Sequence, residues 1–208
     1  MPLPRYFRLP ESQREHILSV ARASFATDGV DRASYNAIID KAGISKTSAY
    51  QYFDSRSDLL GAVIADLIKN ATSALGPWSV APDPQAFWVQ LDAASSRLLS
   101  YIATNPDAGA ILAQQPQGAG PDPGWLRKVI ENGIDLEMIR IDLDQQLLFT
   151  ATAKMFEAID DWALRGLTRG AEKPPAVSDL TDAWHLLARL WGTPDDKRLS
   201  TASGATRG

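Results

Sequence analysis

The sequence predicts an all-α protein. Apolar residues recur at helical spacing in segment after segment, glycine and proline gather between those segments, and no run alternates apolar with polar residues long enough to make a strand. No period of about 20 to 50 residues repeats, so a solenoid is excluded. With 208 residues, 45% of them hydrophobic, the chain can bury a sizeable core without disulfides or a structural metal.

The elements follow in order. Ser12 and Glu15 match a capping box, which predicts a first helix starting near Ser12, with Ile17, Leu18, Ala21 and Phe25 as its apolar stripe and Asp28-Gly29 as its stop. Ser34 is placed to cap a second helix of about two turns that turns Ile38, Ile39 and Ala42 inward and ends at Gly43 in the left-handed region. Ser45 then caps a third short helix running to about Phe53. Ser55 and Asp58 form another capping pair, opening a longer helix through Leu59, Val63 and Leu67 that Gly76-Pro77 closes. Further helices are expected over about 84–104, 107–115, 124–139, 144–168 and 177–192, with a loop over 116–124. The organisation is read as a head over 1–55, whose residues 1–11 form a flexible arm, a body over 56–193 and a disordered tail over 194–208.

Composition removes several functions. No cysteine is present, which excludes thiolate catalysis, CxxC redox chemistry and Cys-based zinc sites and suits a cytoplasmic protein. Apolar runs such as 59–65 fall far short of the roughly 18–20 residues of a membrane span. Glu11, Arg14 and Glu15 stand where a secretion signal would place its apolar run. Of the two histidines, His16 and His185, neither has a partner at metal-ligand or nucleophile spacing, and Asp144 is accounted for as a helix cap rather than as half of a cation site with Asp142. No G-x-S-x-G, P-loop or G-x-G-x-x-G pattern occurs. No catalytic residue, metal or cofactor is therefore expected.

Residues 1–60 carry eight Lys/Arg against seven Asp/Glu, while the remainder carries thirteen against eighteen. Such a head binds nucleic acid only by gathering its cations on one face. Two short helices joined by a glycine turn behind a longer helix match a helix-turn-helix, whose second member enters the DNA major groove. That spacing alone also occurs in helical bundles that bind nothing. The third helix adds chemistry: only Ala49 and Phe53 are clearly inward, leaving Lys46, Thr47, Ser48, Gln51 and the hydroxyls of Tyr50 and Tyr52 outward, groups suited to phosphates and base edges. Arg5, Tyr6 and Arg8 are read as a disordered leader, or as an arm reaching a minor groove.

From residue 33 to residue 60 the chain reads ASYNAIIDKAGISKTSAYQYFDSRSDLL, and this block resembles the tetracycline-repressor (TetR) family of transcriptional regulators. The turn Ala42-Gly43-Ile44-Ser45, the run Tyr50-x-Tyr52-Phe53 and the continuation Ser55-Arg56-x-Asp58-Leu59-Leu60 carry the likeness. The resemblance implies DNA contacts from Tyr35 and Asn36 on the second helix, from Lys46, Thr47, Ser48, Tyr50, Gln51 and Tyr52 on the third, and from Arg56. Lys46, Thr47 and Gln51 are the expected base readers, and Tyr50, Tyr52 and Arg56 the expected phosphate contacts. Tyr35 is bulkier than the family's usual residue and Ile39 replaces a frequent small one, which leaves the tilt of the second helix open.

All six tryptophans lie beyond residue 77. Trp88, Leu91 and Tyr101 on one helix, Trp125 and Val129 on another, and Phe149, Met155 and Phe156 on a third are candidate effector-pocket residues, although aromatic spacing does not separate a hollow core from a filled one. Ile159 and Trp162, with Trp184, Leu187, Ala188 and Trp191, are candidate dimer-interface residues that would pair as a four-helix bundle about a two-fold axis. The resemblance likewise implies a homodimer on a palindromic operator. The expected function is a ligand-responsive regulator, a repressor that a small apolar or aromatic effector releases from DNA. The alternative is an all-helical interaction or scaffold protein with an incidental helix-turn-helix.

Overall fold

The computed structural model describes residues 1–114, 122–168 and 180–192, the side chains of 164–168 excepted. After a short 3-10 turn at Tyr6–Arg8 come nine helices among the described residues: α1 (Glu11–Asp28), α2 (Tyr35–Lys41), α3 (Lys46–Tyr50), α4 (Arg56–Leu75), α5 (Pro84–Thr104), α6 (Pro106–Leu112), α7 (Pro123–Asp135), α8 (Gln145–Thr168) and α9 (Leu180–Trp191). No described residue is in a strand. The expected all-α class holds. The expected tail over 194–208 and most of the expected loop over 116–124 lie outside the described residues.

Local chemistry sets most boundaries. Ser34, Ser45 and Ser55 accept hydrogen bonds from the backbone N–H groups of Ala37, Ser48 and Asp58, so each of the three expected caps forms. The expected box at Ser12 and Glu15 does not. Pro10 takes the cap position, and its carbonyl accepts from the N–H groups of Gln13 at 3.0 Å and Arg14 at 3.1 Å, which leaves Ser12 inside the first turn. Helix α3 stops at Tyr50 rather than Phe53, because the next two N–H groups fall back on carbonyls three residues behind them. Helix α7 stops at Asp135, short of residue 139, where Glu137 takes a φ of 56° and Met138 and Ile139 both donate to the Gly133 carbonyl. Gly133 permits that return: a Cβ there would lie 2.5 Å from the Ile139 Cδ1.

Two apolar cores result. The first joins Ile17, Ala21 and Phe25 of α1 to Ile38, Phe53, Leu59 and Leu67, and it also takes in Ile102 of α5 and Ala108, Ile111 and Leu112 of α6. The second gathers Leu75, Trp78, Phe87, Leu91, Trp125, Val129, Phe156, Leu187 and Trp191. Leu98 packs against both. A boundary at residue 55 does not divide these cores, since α4 begins in the first and reaches the second at Leu75 while α6 lies against α1. Nor are residues 1–11 a loose arm. Tyr6 is buried with its ring 4.9 Å from that of Phe53, and the Leu3 N–H donates to the Tyr52 carbonyl at 2.8 Å.

The second core is locked by one polar group. Asn132 is buried on α7; its Oδ1 accepts from the Ala81 N–H at 2.7 Å and the Trp78 Nε1 at 3.2 Å, and its Nδ2 donates to the Ala81 carbonyl at 3.2 Å. Ala81, in the segment between α4 and α5, thereby has both its backbone groups satisfied in an apolar surrounding. Asn132→Ala strands an amide N–H, an indole N–H and a carbonyl, and is expected to cost about 2–4 kcal/mol. Chemical denaturation of the variant beside the parent chain measures this; an unchanged midpoint would mean that water replaces the clamp.

Candidate nucleic-acid interface

The surface built by α2 and α3 begins with its turn. Gly43 adopts a φ of 66°, a conformation that costs other residues a Cβ clash, and the Ile44 N–H reaches back to the Ile39 carbonyl. Ile38 and Ile39 of α2 and Ala49 of α3 are buried beneath it. Phe53 follows at 1% exposure, and its N–H donates to the Ala49 carbonyl at 2.8 Å. With Ala49 and Phe53 held down, the opposite side of α3 faces outward.

Lys46, Thr47, Tyr50 and Gln51 are exposed, as is Asn36 on α2, whereas Ser48 and Tyr52 are half-buried. Tyr50 stands 52% exposed, so it is not a core aromatic. Tyr35 has a different place. Its hydroxyl donates to the Phe53 carbonyl at 3.0 Å, with the Ala49 carbonyl at 3.4 Å, and its ring lies 5.8 Å from that of Tyr50. Burial, and then the neighbouring Tyr50, Asp58 and Asp54, push its phenol up to about 12. Tyr35 is thus a neutral donor that ties α2 to the end of α3, which accounts for the bulk at this position. Arg56 is also partly committed, because its Nη1 donates to the Val30 carbonyl in the α1–α2 loop. Val30 N–H in turn faces the Gln114 Oε1 beyond α6, at 3.5 Å.

The candidate pocket residues do not form one group. Leu91, Trp125, Val129 and Phe156 are buried in the second core, with Trp88, Phe149 and Met155 packed against it. Tyr101 lies against the first core instead. The Trp125 ring meets Trp78 at 5.7 Å and Phe156 at 6.2 Å edge to face, and its buried Nε1 has no hydrogen-bond partner among the described residues. Phe149 lies beneath the Arg127 guanidinium at 5.5 Å. Helical spacing gave no sign of Asp160, a half-buried carboxyl on α8 that burial and the Glu157 carboxylate push up to about 7.

The candidate interface residues divide as well. Leu187 and Trp191 face the protomer's own core: Leu187 is fully buried, and the Trp191 Nε1 donates to Thr152 Oγ1 at 3.0 Å while its ring stacks on Trp88. They are corrected to core positions. Trp184 is half-buried and donates to Asp92 Oδ1 at 3.1 Å, and Ala188 is half-buried. Among the described residues of this region Trp162 and Leu186 are the large exposed apolar groups, at 47% and 53%, and they line a groove of about 310 Å³ with Met155, Ala158, Ile159, Asp182 and Ala183.

Other expected chemistry is located too. His16 and His185 are exposed. Asp144 accepts from the Leu147 N–H at 2.8 Å as a cap, while Asp142 is held by both the Nε and the Nη2 of Arg140 at 2.7 Å. Among the described residues no group of three acidic or imidazole side chains is placed to hold a metal, and no helix is long and apolar enough to cross a membrane.

A short helix carried on a buried seat, with a second short helix before its glycine turn and a longer helix behind, has the geometry of a helix-turn-helix. Residues 17–63 match the family model described as bacterial regulatory proteins, tetR family, which bears out the resemblance read from residues 33–60. Solved structures agree over nearly the whole chain. A chain from Shewanella sp. PV-4 described as a tetR family transcription regulator is 16% identical, with a TM-score of 0.64 over 87% of this chain and 98% of that one. A TetR-family transcriptional regulator from Pectobacterium atrosepticum is 21% identical, with a TM-score of 0.58 over 88% and 96% of the two chains. The fatty acid degradation regulator FadR from Bacillus halodurans is 14% identical, with a TM-score of 0.59 over 86% and 98%. No curated protein matches the sequence. Residues 17–63 are therefore similar to the tetR family of bacterial regulatory proteins, and over most of its length the chain shares the fold of solved TetR-family structures.

Tyr35→Phe removes the hydroxyl that ties α2 to Phe53 and keeps the ring. A loss of about 1 kcal/mol in stability is expected, with weaker DNA binding than that loss alone produces, because α3 is then free to tilt. Denaturation and DNA titration on one preparation separate the two effects.

Proposed function

We propose that this protein is a ligand-responsive transcriptional repressor acting in the cytoplasm as a homodimer on a palindromic operator. The observation that carries the reading is the outward set Lys46, Thr47 and Gln51, raised over buried Ala49 and Phe53 in a TetR-type head. In this reading Lys46, Thr47 and Gln51 read base edges, with Asn36, Ser48, Tyr50 and Tyr52 supporting on the backbone. Arg56, tied to Val30, holds the loop behind α2 and contributes its remaining donors to phosphate.

Two recognition helices must reach successive major-groove faces about 34 Å apart, which requires a two-fold partner. Trp162 and Leu186 favour the α8 and α9 surface for it: two large apolar groups beside one groove are costly in water and are covered when a second copy pairs there. The effector reading draws on the aromatic body and on the Trp125 indole N–H, a buried donor suited to an acceptor atom on an otherwise apolar molecule. Helix α6 lies against both α1 and α8, so a change in the body has a route to the head. Induction then needs only a ligand that binds one spacing of the heads more tightly than the other, and operator DNA must weaken that ligand by the same factor.

DNA sites selected from a random pool, followed by salt-dependent titration, test the reading. Lys46→Ala is expected to cost about 1–3 kcal/mol on the selected site and to relax preference at one base pair. An equal loss on every sequence would make Lys46 a phosphate contact, and parent protein that selects no site would end the repressor assignment. Trp162→Asp and Leu186→Asp are expected to yield folded monomers by sedimentation. Dimers that persist in both would move the interface away from α8 and α9.

A further inference from the structure

We infer that the N-terminal segment, residues 1–10, is a prefolded second DNA-contacting element whose Arg5 and Arg8 hold backbone phosphates beside the groove that α3 occupies. The inference rests on the DNA-binding reading above and adds residues to it.

The segment is fixed to the recognition unit itself. The Leu3 N–H donates to the Tyr52 carbonyl at 2.8 Å, and the Tyr6 and Leu9 N–H groups close the turn onto the Leu3 and Tyr6 carbonyls. Tyr6 is 5% exposed against Phe53, the residue that seats the end of α3, and the Met1 ammonium meets the Asp58 carboxylate. Arg5 and Arg8 are three residues apart across this turn, joined by an N–H to carbonyl bond of 3.2 Å. In 3-10 geometry such positions eclipse, so the two side chains leave from one side.

That side adjoins the recognition helix. Arg5 and Arg8, with Leu3, Pro4 and Leu9, form one wall of a groove of about 680 Å³, and Gln51 and Tyr52 form the other. Both arginines are exposed, and among the described residues neither makes an ion pair. Arg14, Arg32 and Arg56 differ, since each donates to a backbone carbonyl of its own chain. Two uncommitted guanidiniums beside Gln51 present planar, bidentate donors suited to phosphodiester oxygens. With α3 in a major groove, the surface next to Gln51 and Tyr52 is the bordering strand. Because the segment is already folded, its ordering entropy is spent at folding rather than at binding.

The test is salt-dependent binding of the selected DNA site to full-length parent, Arg5→Ala, Arg8→Ala, the double variant, Arg5→Lys with Arg8→Lys, and Lys46→Ala. Every phosphate that a variant no longer neutralises should lower the slope of log K against log salt by about 0.9, close to ~1.8 for each head in the double alanine variant. The double lysine variant should keep most of the slope, and site preference should stay unchanged. Thermal melting matched to the parent shows that the variants fold. A parent slope retained by the double alanine variant, while Lys46→Ala still weakens binding, would overturn the inference and leave the repressor reading intact. A weakening confined to A·T-rich flanks would overturn it in favour of minor-groove insertion. No selected site for the parent would instead refute the underlying reading.

Discussion

A helix of five residues has no stability of its own, because nucleating a single turn costs more than its few hydrogen bonds return. The shape of α3 is therefore borrowed from what lies beneath it. Ala49 is buried, Phe53 is buried in the first core, Ser45 closes the start, and the Tyr35 hydroxyl holds the end through the Phe53 carbonyl. Every outward group on α3 owes its direction to those inward ones. The docked N-terminal segment uses the same anchor, since Tyr6 packs on Phe53 and Leu3 bonds to Tyr52.

The core that seats α3 is not confined to the head. Ile102, Ala108, Ile111 and Leu112 complete it from α5 and α6, and Gln114 faces the Val30 N–H in the loop to which Arg56 is tied. The body thus contributes part of the floor on which the recognition unit stands. The second core stays distinct, built of interlocked aromatic rings around the Asn132 clamp. Packed helices, rather than a hinge of unpacked chain, connect it to the head.

Much of this was legible in residue order, and the gaps have physical causes. Serine caps at 34, 45 and 55 act on N–H groups three residues ahead, so a short window contains all the information. The box at Ser12 failed because Pro10, outside that window, already supplied the carbonyl that starts α1. Tyr6 went unread as an anchor since one aromatic in a polar leader has no period and its partner is 47 residues away. Tyr101 and Trp88 were grouped because both lie on α5, but that helix runs about 30 Å and passes from one core to the other. On α9, Leu186 and Leu187 are neighbours in an apolar run, and spacing alone does not say which side meets the protomer's own rings. The candidate interface is the clearest case: Trp191 has the composition of an interface residue but is spent inside, leaving Leu186 and Trp162 in the open.

The sharing of Ile111 and Leu112 between α6 and the head has a consequence for modularity. A fragment cut after α4 would strip Ile102, Ala108, Ile111 and Leu112 from the first core and bare the α1 and α4 surfaces that α6 covers. Grafting this head onto another body would therefore require α6, or a surface shaped like it, to keep the first core closed.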